Sequence, residues 1–183
     1  MHWRQDADRS GFNTGALGIV YEMLLRWVGE ASRVLAAGRV FVRVRRDEAG
    51  AARAVTVPEH LDVLADLACG ALLHLQQSAV AALRAETGTW LYGDEGVLRF
   101  DGERLWFGAR GDAAPTPLDI PPEERGGWRV EEEFVGAIRD GAPVRRTTFA
   151  DGVRYMEFTE AARRSAAQGR AVHLPLALDA GGP

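Results

Sequence analysis

The chain contains no lysine: all 22 of its basic residues are arginine. No lysine general acid, Schiff-base amine or Walker-type phosphate ligand can come from it. Biased codon usage in a GC-rich genome accounts for the absence, and the chemical exclusion holds all the same. Cysteine is almost as scarce. Cys69 stands alone, which rules out an intrachain disulfide and a cysteine-rich metal site. Its neighbours Leu67, Ala68, Gly70 and Ala71 predict a buried, inert thiol. No apolar run approaches the ~20 residues that a membrane helix needs. The opening Met1-His2-Trp3-Arg4-Gln5-Asp6 is polar and holds no signal-peptide core, so a cytoplasmic protein is expected. A formal charge of −4 argues against a nucleic-acid footprint, and no membrane partner is expected. A glycine-rich phosphate turn is also missing. The nearest run, Gly11, Gly15 and Gly18, follows no strand and has the wrong spacing for G-x-G-x-x-G.

Enough remains for a folded domain. Apolar residues make up 46% of 183 positions, which is ordinary for a soluble globular chain of one domain. Residues 1–12 are polar and irregular and read as an arm. Residues 13–176 read as the domain, and residues 177–183 as a flexible tail.

Periodicity orders the elements. Leu17, Tyr21, Leu24 and Val28 recur at helical spacing, with Asn13 or Thr14 available as a cap and Gly29 as a stop. Val40, Val42 and Val44 alternate with Arg39, Phe41, Arg43 and Arg45, which predicts a strand. Asp47-Glu48-Ala49-Gly50 predicts a turn, after which Val55 and Val57 reopen a strand. Two long neighbouring strands are predicted on either side of Gly70. Short strands follow at Trp90–Tyr92, Val97–Phe100, Arg104–Phe107 and Pro115–Ile120, with Asp101-Gly102 as a two-residue hairpin. Two helices are predicted from Trp128 to Arg139 and from Asp151 to Gln168. Phe134, Ile138, Val153 and Met156 are expected to pack on a sheet, and Val172 to Leu174 to form a last strand. Strands segregated from helices indicate the α+β class.

The ordered series from Gly127-Trp128-Arg129 through Glu133-Phe134-Val135, Ala137-Ile138-Arg139-Asp140-Gly141, Asp151-Gly152-Val153 and Gly169-Arg170 resembles the C-terminal end of the Gfo/Idh/MocA oxidoreductases. That resemblance extends from about Gly11 to Leu174. It implies an open, largely antiparallel sheet with helices on one face. It also implies a substrate-binding and oligomerisation domain for a sugar or polyol, with homo-oligomer contacts through the sheet face. A Rossmann domain would be the partner that carries NAD(P). By this reading the chain begins after that half, holds no cofactor itself and does not turn over alone. A stand-alone binding or assembly module is the alternative.

The family's catalytic Asp and His lie four residues apart on the first helix of this half, which puts both on one face. Matching Leu17-Gly18-Ile19-Val20-Tyr21 to that pattern puts Ala16 at the Asp position and Val20 at the His position. Neither transfers a proton. Met23 falls where another acidic residue is common. Either the match is offset by a residue or two, or the chemistry differs, or the chain is not from a dehydrogenase. Tyr21 and Glu22 are the nearest ionisable candidates, Tyr21 as an acid if its pKa is lowered. By resemblance, Trp3, Arg4 and Gln5 in the arm are substrate-binding candidates together with Tyr21. His60, Asp62 and Asp66 share one face of a strand, where a solvated or interface stripe outweighs a metal site lacking a further ligand. His74 and His173 read as structural. Arg43, Arg45 and Arg46 read as a basic edge that discourages aggregation.

Overall fold

The computed structural model describes residues 1–12, 14–81, 83 and 87–177. The chain divides into two compact units. One comprises Met1–Val80 with Val144–Pro183, and the other Ala81–Pro143. The arm predicted at residues 1–12 belongs to the first unit and is not irregular. It forms a 3-10 turn, Trp3–Gln5, and a short helix α1, Ala7–Ser10.

The first unit is built on a four-stranded antiparallel sheet. Its strands are β1 (Ala31–Arg39), β4 (His60–Leu67), β5 (Leu72–Ser78) and β10 (Val172–His173), in the spatial order β10-β1-β4-β5. A separate hairpin joins β2 (Val44–Arg46) to β3 (Ala52–Ala54). Its turn is the predicted one: the Asp47 carboxylate accepts from the Ala49 and Ala51 N–H groups. Helices α2 (Leu17–Val28) and α4 (Phe149–Gln168) cover one face of the large sheet. The core consists of Leu17, Tyr21 and Leu24 from α2, Phe158, Ala161 and Ala162 from α4, and Val34, Leu61, Val63 and Leu75 from the strands.

The predicted pair around Gly70 is present as β4 and β5, with Val63 opposite Leu75 and Asp62 opposite Gln76. The strand predicted at Val40–Val44 is not. The chain instead makes β1 earlier, over Ala31-Ser32-Arg33-Val34-Leu35-Ala36-Ala37-Gly38-Arg39, and of the three valines at 40, 42 and 44 only Val44 enters a strand. The small residues of β1 let α4 approach closely. Two buried backbone groups of β1 are then satisfied by helix side chains. The Ala31 N–H donates to the Tyr21 hydroxyl at 2.8 Å. The Ala36 N–H donates to Ser165 Oγ at 2.8 Å, and Ser165 in turn donates to the Arg170 carbonyl at 2.7 Å. β10 pairs only with Arg33 and Val34, so Ala36 lies beyond its reach.

Thr14 does not cap α2. The residue before the helix is Ala16, in the left-handed region at φ 65°, with no side-chain cap; Asn13 lies outside the described residues. Gly29 ends the helix as expected, at φ 81°. Val55 and Val57 are buried but belong to no strand, and Cys69 is exposed in the β4–β5 turn rather than buried. The predicted tail lies outside the described residues from position 178 onward.

The second unit holds an antiparallel sheet of β6 (Thr89–Tyr92), β7 (Gly96–Phe100), β8 (Leu105–Ala109) and β9 (Thr116–Pro117). The Asp101 loop has four residues rather than two, since Phe100 pairs with Leu105. One rung sets Trp90, Arg99, Trp106 and Pro117 side by side, with the Arg99 guanidinium 4.9 Å from the Trp106 ring centre. Helix α3, Val130–Asp140, carries Phe134 and Ile138 outward, at 57% and 71% exposure, and not against a sheet. Val153 and Met156 on α4 are likewise exposed. They lie on a stripe of α4 away from the buried Phe158 and Ala162.

Replacing Ser165 with alanine leaves the Ala36 N–H buried without an acceptor. Urea unfolding should show a loss of about 1–3 kcal/mol, the usual cost of orphaning a buried donor. No change in midpoint would mean that the strand edge is hydrated.

Candidate functional site

The arm is fastened to the segment that follows β3. Thr56 N–H donates to the Gln5 carbonyl, and the Ala7 N–H donates to Thr56 Oγ1 at 3.1 Å. Gln5 Nε2 also donates to Glu59 at 3.2 Å. Glu59 is the most deeply placed carboxylate in this region. It accepts from the Val42 N–H at 2.9 Å and from the Arg45 guanidinium. Burial pushes its pKa up, but the Val42 and Phe41 N–H groups and Arg45 outweigh burial and hold it below the usual range. Arg45 is therefore an internal counter-ion and not part of a solvated basic edge. Of the arm candidates, Gln5 is committed to Glu59. Trp3 and Arg4 are open to solvent, with the Arg4 guanidinium 4.3 Å from the Trp3 ring centre.

Beside this junction lies a cavity of about 210 Å³. Phe12, Leu17, Pro58 and Leu61 supply apolar walls, and Thr14, Thr56 and Arg163 supply polar groups. Thr56 thus both fastens the arm and lines the cavity. The volume is below the ~300–1,000 Å³ of a drug-sized ligand site, so only a small molecule fits. Arg163 is held in place by Glu160, donating from Nε at 2.6 Å, and lies over Phe12 at 5.4 Å. The Arg163 hydrogen bond leads, with Arg164 adding to it against burial, in lowering the Glu160 pKa to about 2. None of Thr14, Thr56, Glu59 or Arg163 stood out in the sequence. The one available signal was the four-residue spacing of Thr159 and Arg163, which puts both on one face of α4.

Tyr21 is in the core, 2% exposed, with its ring stacked on Phe158 at 3.6 Å between centres. Burial raises its pKa, the nearby Glu30 carboxylate adds to this, and the Ala31 N–H only partly offsets them. A general acid at neutral pH needs the opposite shift. Glu22 accepts from Arg26 and from the Thr147 hydroxyl, at a second cavity of about 180 Å³ that Glu30, Arg146, Asp151 and Arg154 also line. Arg154 bridges Glu30 at 2.9 Å and Asp151 at 3.0 Å, so this cavity is an ion-pair network. Tyr21 and Glu22 are adjacent in sequence but point to different places.

The face of the large sheet away from the helices is uncovered. His60, Asp62 and Asp66 share it, as their spacing predicts, and Leu35, Leu64 and Leu72 lie exposed among them. Among the described residues no group of three His, Cys, Asp or Glu side chains could hold a metal ion. None of the described helices is long and apolar enough to cross a membrane.

No protein-family model and no curated protein matches the chain. Solved structures do. A levoglucosan dehydrogenase in complex with NADH and L-sorbose superposes with a TM-score of 0.80 at 24% identity, over 96% of this chain and 54% of that one. An NAD-binding oxidoreductase from Klebsiella pneumoniae gives 0.79 at 21% identity, over 97% and 55%. An aldose-aldose oxidoreductase from Caulobacter crescentus gives 0.70 at 20%, over 94% and 51%. The fold is that of the C-terminal domain of Gfo/Idh/MocA-type oxidoreductases. The α+β, antiparallel expectation is thereby met, and the chain spans about half the length of the structures it matches.

The Glu160–Arg163 pair that shapes the cavity gives a pH test. The folded pKa of Glu160 lies below its ordinary 4.5, so its stabilisation is present above that value and lost as pH falls through about 2. Glu160→Gln should be less stable than the parent at neutral pH, and the gap should close on acidification. Urea melts across the acid range measure this; a gap that stays constant would refute it.

Proposed function

We propose that this chain is the substrate-binding and assembly domain of an NAD(P)-dependent sugar or polyol oxidoreductase. The observation that carries the reading is the near-complete superposition of this chain on about half of a levoglucosan dehydrogenase bound to NADH and L-sorbose and of an aldose-aldose oxidoreductase. Hydride transfer between NAD(P) and a hydroxyl-bearing carbon is the reaction of the whole protein under this reading. A Rossmann domain supplies the nicotinamide, and this chain contributes the cavity between the arm and α4. Thr14 and Thr56 hydroxyls suit the hydroxyl groups of a small polyol, and the apolar wall of Phe12, Leu17 and Pro58 suits its C–H face. The uncovered sheet face pairs with a second copy. Leu35 and Leu64 form its apolar centre, and Arg33 with Asp66 supplies polar rim contacts.

A second reading, a binding or assembly module without chemistry, draws on α2. Ala16 and Val20 bear no titratable group, and Tyr21 is committed to the core. Cofactor and sugar binding separate the two.

Calorimetry with NAD(H) on the 183-residue chain should give no micromolar binding, because the nicotinamide site belongs to the Rossmann domain. Ligand-observed NMR with small sugars, including L-sorbose and levoglucosan, should detect weak binding. Ala167→Trp, at an exposed position lining the cavity, should reduce that affinity by at least about tenfold without changing circular dichroism, since it fills the space a ligand needs. Micromolar NAD(H) affinity would overturn the division of labour. Sugar binding unaffected by Ala167→Trp would move the substrate site elsewhere.

A further inference from the structure

The cavity between the arm and α4 has one charged group in its wall, and that group is a cation, Arg163. Among the described residues no carboxylate and no imidazole lines the same space. The two carboxylates of this region are engaged elsewhere. Glu59 accepts from the Val42 N–H, Gln5 and Arg45. Glu160 accepts from both Arg163 and Arg164. One carboxylate thus serves two guanidiniums, so Arg163 does not have its counter-charge to itself.

Arg163 commits only one edge of its guanidinium to Glu160. Nε donates to Oε2 and Nη2 to Oε1, each at 2.6 Å. Nη1 has no hydrogen-bond partner among the described residues. The fork is held by Glu160 on one side and lies over the Phe12 ring at 5.4 Å, and its other edge is open. The hydroxyl groups of the wall complement it. Thr56 Oγ1 accepts from the Ala7 N–H, so its own proton is available to a ligand. Thr14 is only 4% exposed, and its hydroxyl makes no hydrogen bond among the described residues. Buried polar groups are normally paired, so a buried hydroxyl on a cavity wall points to a polar ligand.

We propose that this cavity takes a small hydroxy acid, with its carboxylate on the open edge of Arg163 and its hydroxyl groups on Thr14 and Thr56. The inference rests on the substrate-binding reading above and names the chemical class of the ligand. A carboxylate meets a guanidinium edge to edge, through two parallel charge-assisted N–H···O bonds. Arginine stays protonated throughout the pH range of a folded protein, so the attraction is permanent. Phe12, Leu17 and Pro58 wall the space and strengthen it, since a charge is screened less beside apolar groups than in water. A neutral polyol can answer the two hydroxyl groups but leaves the guanidinium edge without an anion. A phosphate ester carries roughly two negative charges at neutral pH, and the single cation of this wall does not balance it.

The experiment is ligand-observed NMR titration of the 183-residue chain with two matched pairs, glycerate against glycerol and erythronate against erythritol. At low ionic strength each acid should bind at least about tenfold more tightly than its alcohol, as hydrogen bonds to a charged group imply. The chain's formal charge of −4 works against this preference, so non-specific attraction does not mimic it. Arg163→Gln should bring the ratio to about one by weakening the acid alone. Ala167→Trp should weaken acid and alcohol together. Acids that bind no better than alcohols, with both weakened by Ala167→Trp, overturn the hydroxy acid and leave the sugar-site reading standing. An acid preference that survives Arg163→Gln, or acid binding that survives Ala167→Trp, puts the carboxylate elsewhere and overturns it as well. If no member of either pair binds, the site reading and the hydroxy acid fall together. Should Arg163→Gln fail to fold by circular dichroism, the acid-to-alcohol ratio of the parent and its loss of acid binding in Ala167→Trp decide the matter.

Discussion

The structure depends on two backbone N–H groups of β1. Those of Ala31 and Ala36 are buried, and no neighbouring strand takes them: the β1–β4 register shifts between Ala31 and Arg33, and β10 is too short to reach Ala36. Buried donors must find acceptors. They find them in Tyr21 from one helix and Ser165 from the other. Each hydroxyl fixes where its helix crosses the sheet. The small side chains around them, Ala31, Ala36, Ala161 and Ala162, keep the crossing close enough for the bonds to form. A larger residue at any of these positions pushes a helix away from its strand and breaks the bond as well as the packing.

This constraint divides the first unit into a face that is used for folding and a face that is not. Tyr21 cannot serve both roles. Its ring is stacked on Phe158, its oxygen holds Ala31, and its proton is held more tightly than that of a free phenol. Groups with freedom to meet a ligand lie at the margin of the helical layer, where Thr14, Thr56 and Arg163 line a cavity. Glu59 anchors that margin. Its carboxylate joins the arm, the loop at Val42 and the hairpin at Arg45, three segments that share no strand pairing with one another. The opposite face of the sheet carries the imidazoles and exposed leucines, away from every packing demand of the core.

How far the sequence disclosed this follows the physics of each element. β4 and β5 were legible because one face is buried and the other solvated, so alternation is clean from Leu61 to Leu75. The same clarity put His60, Asp62 and Asp66 together. β1 was not legible. It is rich in alanine and glycine, residues of low strand propensity, and what makes it a strand is the helix packed across it. The valines at 40, 42 and 44 look more strand-like, yet that stretch turns to bring the Val42 N–H to Glu59. Glu59 itself, between Pro58 and His60, resembles any solvated carboxylate. Phe134 and Ile138 are spaced as one stripe of a helix, but periodicity gives a direction and not a covering, and both residues are exposed. Cys69 is exposed for a similar reason, since apolar neighbours do not bury a residue placed in a tight turn.

The same reasoning explains how the fold agrees with that of the solved oxidoreductases at 24% identity or less while its chemistry stays open. What the fold requires of α2 is Leu17, Tyr21 and Leu24, spaced by four and three along one face, with Gly29 to end the helix. The residues between them are released from that demand to different degrees. Val20 and Met23 pack at the edge of the core and accept any apolar shape of suitable size, whereas Ile19 is largely exposed and Ala16 precedes the helix in a left-handed turn. These are the positions where a proton-transferring pair could be gained or lost without disturbing the crossing of helix and sheet. A helix whose buried side is constrained and whose other side is free preserves the fold across relatives that differ in chemistry. The shared fold therefore identifies the scaffold, and the chemistry is set by side chains that the core leaves free.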